Sequence, residues 1–304
     1  MITVAIPARN GGALFGRVLE AVLNQDIAEE FEILVADTES SDGTRERVMH
    51  LAENNDNFRW FPVKKADFGH GKTRNLLVEK ARGDVVAFLT QDALPVDRNW
   101  LRNLVEPLRS QRDVAGATGL HLAYPEHGPI TARNMSHHFR SFGDELKLQR
   151  IDDRELYEMD QAYRQHLHFY SDNNSAMIRE VWEKIPYLEV PFGEDQLWAE
   201  KILQAGYAKA WVPQAAVFHS HRFSFRNTVA RAKEEAIYYH QVFGYRLGAP
   251  LGISLRRAWI QWRADCHWMK EQGAIPKGER KATAIDIFGL YLGHWLARRE
   301  IGIK

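Results

Sequence analysis

The chain has 304 residues, 45% of them apolar, which suits one large α/β domain or a domain with a smaller appendage. Its 40 lysines and arginines balance 40 aspartates and glutamates, so overall charge gives no support for nucleic-acid binding. The single cysteine, Cys266, excludes an internal disulfide and fits a reducing compartment, and no run of about eighteen apolar residues is present to span a membrane.

Residues 2–6 read as a buried strand from the start of the chain, with no basic leader and no apolar stretch long enough for a signal peptide. Pro7-Ala8-Arg9-Asn10-Gly11-Gly12 breaks regular structure. Leu14, Val18, Leu19, Val22 and Leu23 then recur at helical spacing. A second strand over 31–36 ends in Asp37, and a polar loop leads to a helix with Val48 and Leu51 inward. A short strand at 58–63 precedes Phe68-Gly69-His70-Gly71, which opens a helix running to about residue 80. Residues 85–89, VVAFL, are too few for a helix and too apolar for an exposed strand, so they predict a central buried strand. It ends in Thr90-Gln91-Asp92. Strand and helix alternate throughout this half, which predicts a mostly parallel sheet covered on both faces. Right-handed crossovers place the loops after residues 6, 36 and 89 on one rim, so Asp37 and Asp92 face one crevice.

Beyond it, a helix over 99–109 leads to a small-residue strand at 114–122. Residues 123–168 are polar, contain five histidines and read as helical insertions over the rim. A strand-and-turn segment follows at 169–176, then a helix after Gly193-Glu194-Asp195, a strand at 210–218 and His219-Ser220-His221. From residue 223 the chain is helical. Leu255, Trp259, Trp262, Cys266 and Met269 fall on one face of one helix, with Arg256, Arg257, Arg263 and Lys270 elsewhere. Such a helix either lies on a membrane surface or packs on the main domain with its arginines in water. These boundaries give a domain over 1–222, with a nucleotide half at 1–122 and an acceptor half at 123–222, and a helical region over 223–304.

The first loop, Asp37, FGHGKTRN at 68–75, TQDALP at 90–95, SDNNSA at 171–176, GEDQLWA at 193–199 and FHSH at 218–221 form an ordered set. Over about residues 2–222 this set resembles the inverting family 2 glycosyltransferases of the GT-A (Rossmann-like) fold. The resemblance is greatest to bacterial rhamnosyltransferases that build O-antigens and other surface polysaccharides. It implies an α/β fold with a helical C-terminal appendage. It also implies a Mg²⁺ or Mn²⁺ ion that neutralises the diphosphate of a sugar nucleotide as the glycosidic bond breaks. Asp92 matches the last acidic position of the family's metal motif, with Gln91 beside it. Thr90 stands where a further acid is usual, so fewer carboxylates serve the metal. His219 or His221 completes the coordination sphere, His219 being preferred.

Asp37 matches the residue that reads the nucleotide base. Its carboxylate suits the N3–H of uracil or thymine without separating them. Ala8 and Arg9 flank the base, while His70, Gly71 and Arg74 at a helix start suit phosphate. Asp195 matches the general base, with Glu194 orienting base or acceptor. Asp172, Asn173 and Asn174 offer acceptor contacts or make only a turn, and Trp198 either stacks on an acceptor sugar or packs in the core. The resemblance therefore implies transfer of a sugar, L-rhamnose from dTDP-L-rhamnose, to a glycan or lipid-linked acceptor by a cytoplasmic enzyme at the inner face of the membrane. A homodimer and a peripheral membrane contact belong to this picture; nucleic acid does not. The alternatives are a UDP-sugar enzyme on the same scaffold, a sugar-nucleotide nucleotidyltransferase, and a silent sugar-binding module. The single arginine of the first loop counts against the second, and the joint presence of Asp92 and Asp195 against the third.

Overall fold

The computed structural model describes residues 1–273 and 277–302. In chain order the elements are β1 Ile2–Ala8, α1 Gly12–Leu23, β2 Phe31–Thr38, α2 Thr44–Asn54, β3 Phe58–Val63, α3 His70–Lys80, β4 Val85–Leu89, β5 Leu94–Pro95 and α4 Trp100–Ser110. There follow β6 Val114–Leu122, α5 Gly128–Arg140, β7 Lys147–Gln149, α6 Arg154–Met159, α7 Gln161–His168, β8 Asn174–Ile178, α8 Arg179–Lys184, α9 Glu194–Gln204 and β9 Ala208–Phe218. Three long helices close the chain: α10 Phe225–Phe243, α11 Leu251–Glu271 and α12 Glu279–Glu300.

One sheet runs β3-β2-β1-β4-β8-β6-β9-β5, with β7 added on β9. The apolar runs make its middle: every residue of β4 is buried, as are six of the seven in β1. Such strands leave water on both faces, which is why their sequences lack polar alternation. One face carries α1 and α4 over Val4, Ile6 and Ala87; the other carries α3 and α9 over Ala5 and Phe88. The first four strands are parallel, as are β6 and β9. β8 enters between β4 and β6 antiparallel to both, so the sheet is mixed rather than mostly parallel. The physical reason is the long excursion from β6 to β8, which brings the chain back to the rim it left. β8 then begins where β4 ends, with Leu89 opposite Asn174. That reversal sets the segment 172–174 beside the Thr90-Gln91-Asp92 turn.

The chain divides into two compact units, 1–122 with 136–219, and 123–135 with 220–304. In the second, α10 and α12 approach closely because Gly293 has no side chain: a β-carbon there would lie 2.6 Å from that of Ala232. The face of α11 that turns inward is Ser254, Ala258, Asp265 and Met269. This corrects the apolar face read from the sequence, since Leu255 and Trp259 are about half exposed, at 47% and 49%. The buried Asp265 is neutralised by Arg133, whose Nη2 donates to it at 2.6 Å.

Candidate active site

The first three parallel loops are knitted into one rim. Arg9 N donates to Gln91 Oε1 at 2.6 Å and Gln91 Nε2 donates to Arg9 O at 3.0 Å, so Gln91 ties the loop after β1 to the loop after β4. Asn10, at φ 51°, exchanges hydrogen bonds with the next loop: its N–H reaches Ser40 Oγ and its side-chain oxygen accepts from Ser41 N. Ala8 lies in register with Asp37 on β2. Asp37 is fully buried. Its Oδ2 accepts from Arg45 Nε at 2.7 Å and forms an ion pair with Arg45 Nη2, also at 2.7 Å. Its Oδ1 is buried with no hydrogen-bond partner among the described residues. A buried carboxylate oxygen without a protein donor is costly and suits a ligand N–H. Arg45 escaped the sequence reading; its only signal is a cation in the first turn of the helix that follows the Asp37 loop.

The two-residue strand β5 pairs antiparallel with the end of β9, Leu94 opposite Phe218. That short pairing is what carries the TQDALP turn to the FHSH segment. Asp92 Oδ1 lies 3.6 Å from His219 Nε2, both side chains being largely covered. His219 is fixed in turn by β6, its N–H donating to Leu122 O at 2.9 Å. His221 follows two residues on along the chain and is exposed. Asp92 and His219 supply one carboxylate and one imidazole, donors suited to a divalent ion. The ring of His121 stands edge-on to that of His219, 5.5 Å between centroids, and its buried Nε2 lacks a partner among the described residues. Burial holds His121 neutral, well below the usual histidine range. Nothing in the sequence marked His121, because it sits inside an apolar-looking strand.

On the neighbouring strand end, three carboxylates surround one guanidinium. Arg74 is buried; its Nη1 donates to Glu194 and its Nε lies 3.1 Å from Asp172 Oδ2. Ser175 Oγ donates to Asp172 Oδ1 at 2.6 Å. Asp195 stands in the first turn of α9, behind Gly193 at φ 69°. Its Oδ2 accepts from Asp172 N at 3.3 Å and its Oδ1 from Gln196 N at 2.8 Å. Burial, then the like charges of Glu194 and Asp172, raise the Asp195 carboxyl well above its ordinary range, with Arg74 opposing. Burial likewise raises Glu194 and Asp172 against the pull of Arg74. A carboxylate so raised is a stronger proton acceptor when ionised, which is what general-base chemistry requires.

Several sequence expectations change here. Trp198 is 1% exposed, its Nε1 donates to Ile185 O and its ring packs on Tyr170, so it belongs to the core and has no free face for a sugar. Asn174 is fully buried; its amide donates to Ala215 O at 2.7 Å and accepts from Trp100 Nε1 at 2.8 Å, so it clamps strands instead of greeting an acceptor. Arg74 commits its guanidinium to Glu194 and Asp172, and Asp172 is spent on Arg74 and Ser175, leaving Asn173 as the half-buried member of its trio. Gly71 is buried, and a β-carbon there would lie 2.3 Å from Leu188 O, so only glycine lets the loop before α9 approach α3 this closely. His70 remains exposed at the start of α3.

Comparison with known proteins agrees with this architecture. The profile of the Glycosyl transferase family 2 matches residues 3–185. The O-antigen chain rhamnosyltransferase RfbN of Salmonella typhimurium is 30% identical over 248 residues, covering 78% of this chain and 72% of the relative. WbaN of Salmonella anatum, also an O-antigen chain rhamnosyltransferase, is 25% identical over 242 residues, covering 78% and 71%. Among solved structures, the mannosyltransferase PcManGT of Pyrobaculum calidifontis, in complex with GDP-Man and Mn²⁺, superposes with a TM-score of 0.63 at 18% identity, over 100% of this chain and 88% of that one. TarS of S. aureus in complex with UDP-GlcNAc gives 0.56 at 15% identity, over 98% and 92%. At those identities the structures speak for the α/β GT-A fold alone, but the profile and the relatives go further: the chain belongs to glycosyl transferase family 2 and is a hexosyltransferase.

Proposed function

We propose that this enzyme transfers L-rhamnose from dTDP-L-rhamnose, with inversion, onto a glycan or lipid-linked acceptor of a surface polysaccharide. The donor sugar follows from the names of the Salmonella relatives. The observation that carries the mechanism is the strand register that sets Asn174 opposite Leu89, because it brings the Asp172–Asp195 contact beside the Asp92 turn.

Asp37 reads the base, its unpartnered Oδ1 accepting the N3–H of thymine while Arg45 fixes the other oxygen. Arg9, locked by Gln91, flanks the base, and the exposed His70 at the start of α3 turns its helix end toward phosphate. Asp92 and His219, with His221 two residues on, would hold a divalent ion, Mn²⁺ in preference to Mg²⁺ since imidazole donors suit the softer ion. Such an ion would supply positive charge to offset the departing diphosphate. Asp195 accepts the proton of the acceptor hydroxyl at its carboxylate as the new bond forms. The amides of Asp172 and Gln196 keep Asp195 in place, while the charges of Glu194 and Arg74 set how strongly it holds that proton. With Trp198 in the core, we assign the acceptor sugar to a cavity of about 300 Å³ walled by Phe139, Trp211 and Gln214. No described helix is long and apolar enough to cross a membrane, and we place the enzyme in the cytoplasm, peripheral to the inner membrane face.

A second reading keeps the chemistry and changes the donor, because Asp37 accepts equally from uracil. Thermal shift with dTDP-rhamnose against UDP-sugars, each with and without Mn²⁺, separates the two. The expected result is a Mn²⁺-dependent rise in Tm largest with dTDP-rhamnose; a larger rise with a UDP-sugar overturns the donor assignment.

A further inference from the structure

We propose that the outward face of α11 is an anionic-lipid docking surface, with a basic pocket for a lipid head group at its C-terminal half. At about 100° per residue, the buried stripe of Ser254, Ala258, Asp265 and Met269 fixes the opposite side of the helix as Arg256, Trp259, Ile260 and Arg263. Trp259 is 49% exposed and Ile260 50%. The Arg263 guanidinium lies over the Trp259 ring, 4.8 Å from its centroid. An exposed tryptophan paired with arginine matches the layer where acyl chains meet head groups: the ring enters the apolar side while the cation stays at phosphate level.

One turn further on, a cavity of about 210 Å³ is lined by Trp262, Arg263, Cys266, His267, Lys270 and Arg280. Trp262 Nε1 donates to the Arg280 backbone carbonyl at 3.1 Å, which fixes the pocket wall. The neighbouring acid, Glu271, is paired with His267 at 3.2 Å. Three permanent cations thus converge on a pocket beside an exposed apolar strip. Water-soluble partners explain the cations or the strip; an anionic bilayer explains both through one surface. The assignment deepens the membrane placement proposed above, but it needs neither the donor nor the acceptor to be as proposed.

The test is vesicle flotation of the full chain, using phosphatidylcholine vesicles with and without phosphatidylglycerol. Wild type should float with phosphatidylglycerol only. Arg263→Gln with Lys270→Gln should weaken that binding roughly 30-fold, as removal of two cations near a charged surface requires. Trp259→Ser with Ile260→Ser should abolish it, with far-UV circular dichroism and transfer to a soluble acceptor unchanged. Equal flotation on both vesicle types, or wild-type binding by the Ser variant, overturns the proposal. So does a wild-type dimer that fails to float and becomes monomeric in the Ser variant, since the face is then a subunit contact. Vesicle binding without any sugar transfer would leave the surface standing and sink the proposed reaction.

Discussion

At the scale of single residues, the site is a problem in charge placement. Asp195, Glu194 and Asp172 crowd one guanidinium, so ionising all three leaves excess negative charge in a covered site. Asp195 therefore holds its proton to higher pH than an ordinary carboxyl. Because the base works only when ionised, kcat/KM should fall on acidification while the pH is still above the usual carboxylate range. Glu194→Gln removes one like charge and frees Arg74 for Asp195; both effects lower the Asp195 pKa. The acidic limb of the pH–rate profile should then move to lower pH. A limb that stays in place, measured on donor-saturated enzyme, would detach it from Asp195. Asp37 makes a separate prediction. A hydrogen bond to a charged acceptor is worth about 1.5–3 kcal/mol, so Asp37→Ala should weaken nucleotide binding about 10- to 100-fold by calorimetry. Arg45→Ala should weaken it less, since Arg45 only holds the carboxylate in place.

At the scale of elements, two close approaches position the chemistry. Gly71 lets the loop before α9 seat against α3, and α9 carries Asp195, the proposed base. Gly71→Ala should cost about 1–3 kcal/mol of stability through overpacking. It should also lower kcat with donor affinity nearly unchanged, because the loop it displaces leads to Asp195 and not to Asp37. The second approach is β5 on β9. Val96 N donates to Ala216 O at 3.0 Å and closes that pairing. Val96→Pro removes the donor and should reduce the Mn²⁺-dependent part of nucleotide affinity more than the metal-free part. Equal losses in both would separate the Asp92 turn from the metal.

The same elements show what a sequence can reveal. The strands β1, β2, β4 and β6 were legible because burial on both faces leaves runs dominated by apolar and small residues, unbroken in β4. The rim carboxylates Asp37 and Asp92 were legible because each ends such a run. β5 and β7, of two and three residues, are too short to carry a period, and they exist only through their pairing with β9. The antiparallel entry of β8 is a nonlocal choice that no local pattern records. Trp198 and Asn174 looked like acceptor contacts because tryptophan and asparagine suit sugars; the burial of Asn174 depends on Trp100 and Ala215, 74 and 41 residues away, and Trp198 is tied to Ile185 in the preceding loop. Arg74 looked like a phosphate contact for the same reason, until Glu194, 120 residues later, claimed it.

At the scale of the whole molecule, the sheet brings two kinds of carboxylate to one rim. Asp92 stands with the His219 imidazole and Asp195 with other acids; the first suits a cation and the second a proton. The central claim is that these are separate tasks, donor binding at residue 92 and proton removal at residue 195. Calorimetric titration of dTDP-rhamnose in Mn²⁺, run on Asp195→Asn and Asp92→Ala with turnover measured on the same samples, tests it most directly. Asp195→Asn should bind donor within a few-fold of wild type and transfer nothing, while Asp92→Ala should lose the metal-dependent affinity. Loss of donor binding in Asp195→Asn, or full Mn²⁺-dependent affinity in Asp92→Ala, would contradict the account.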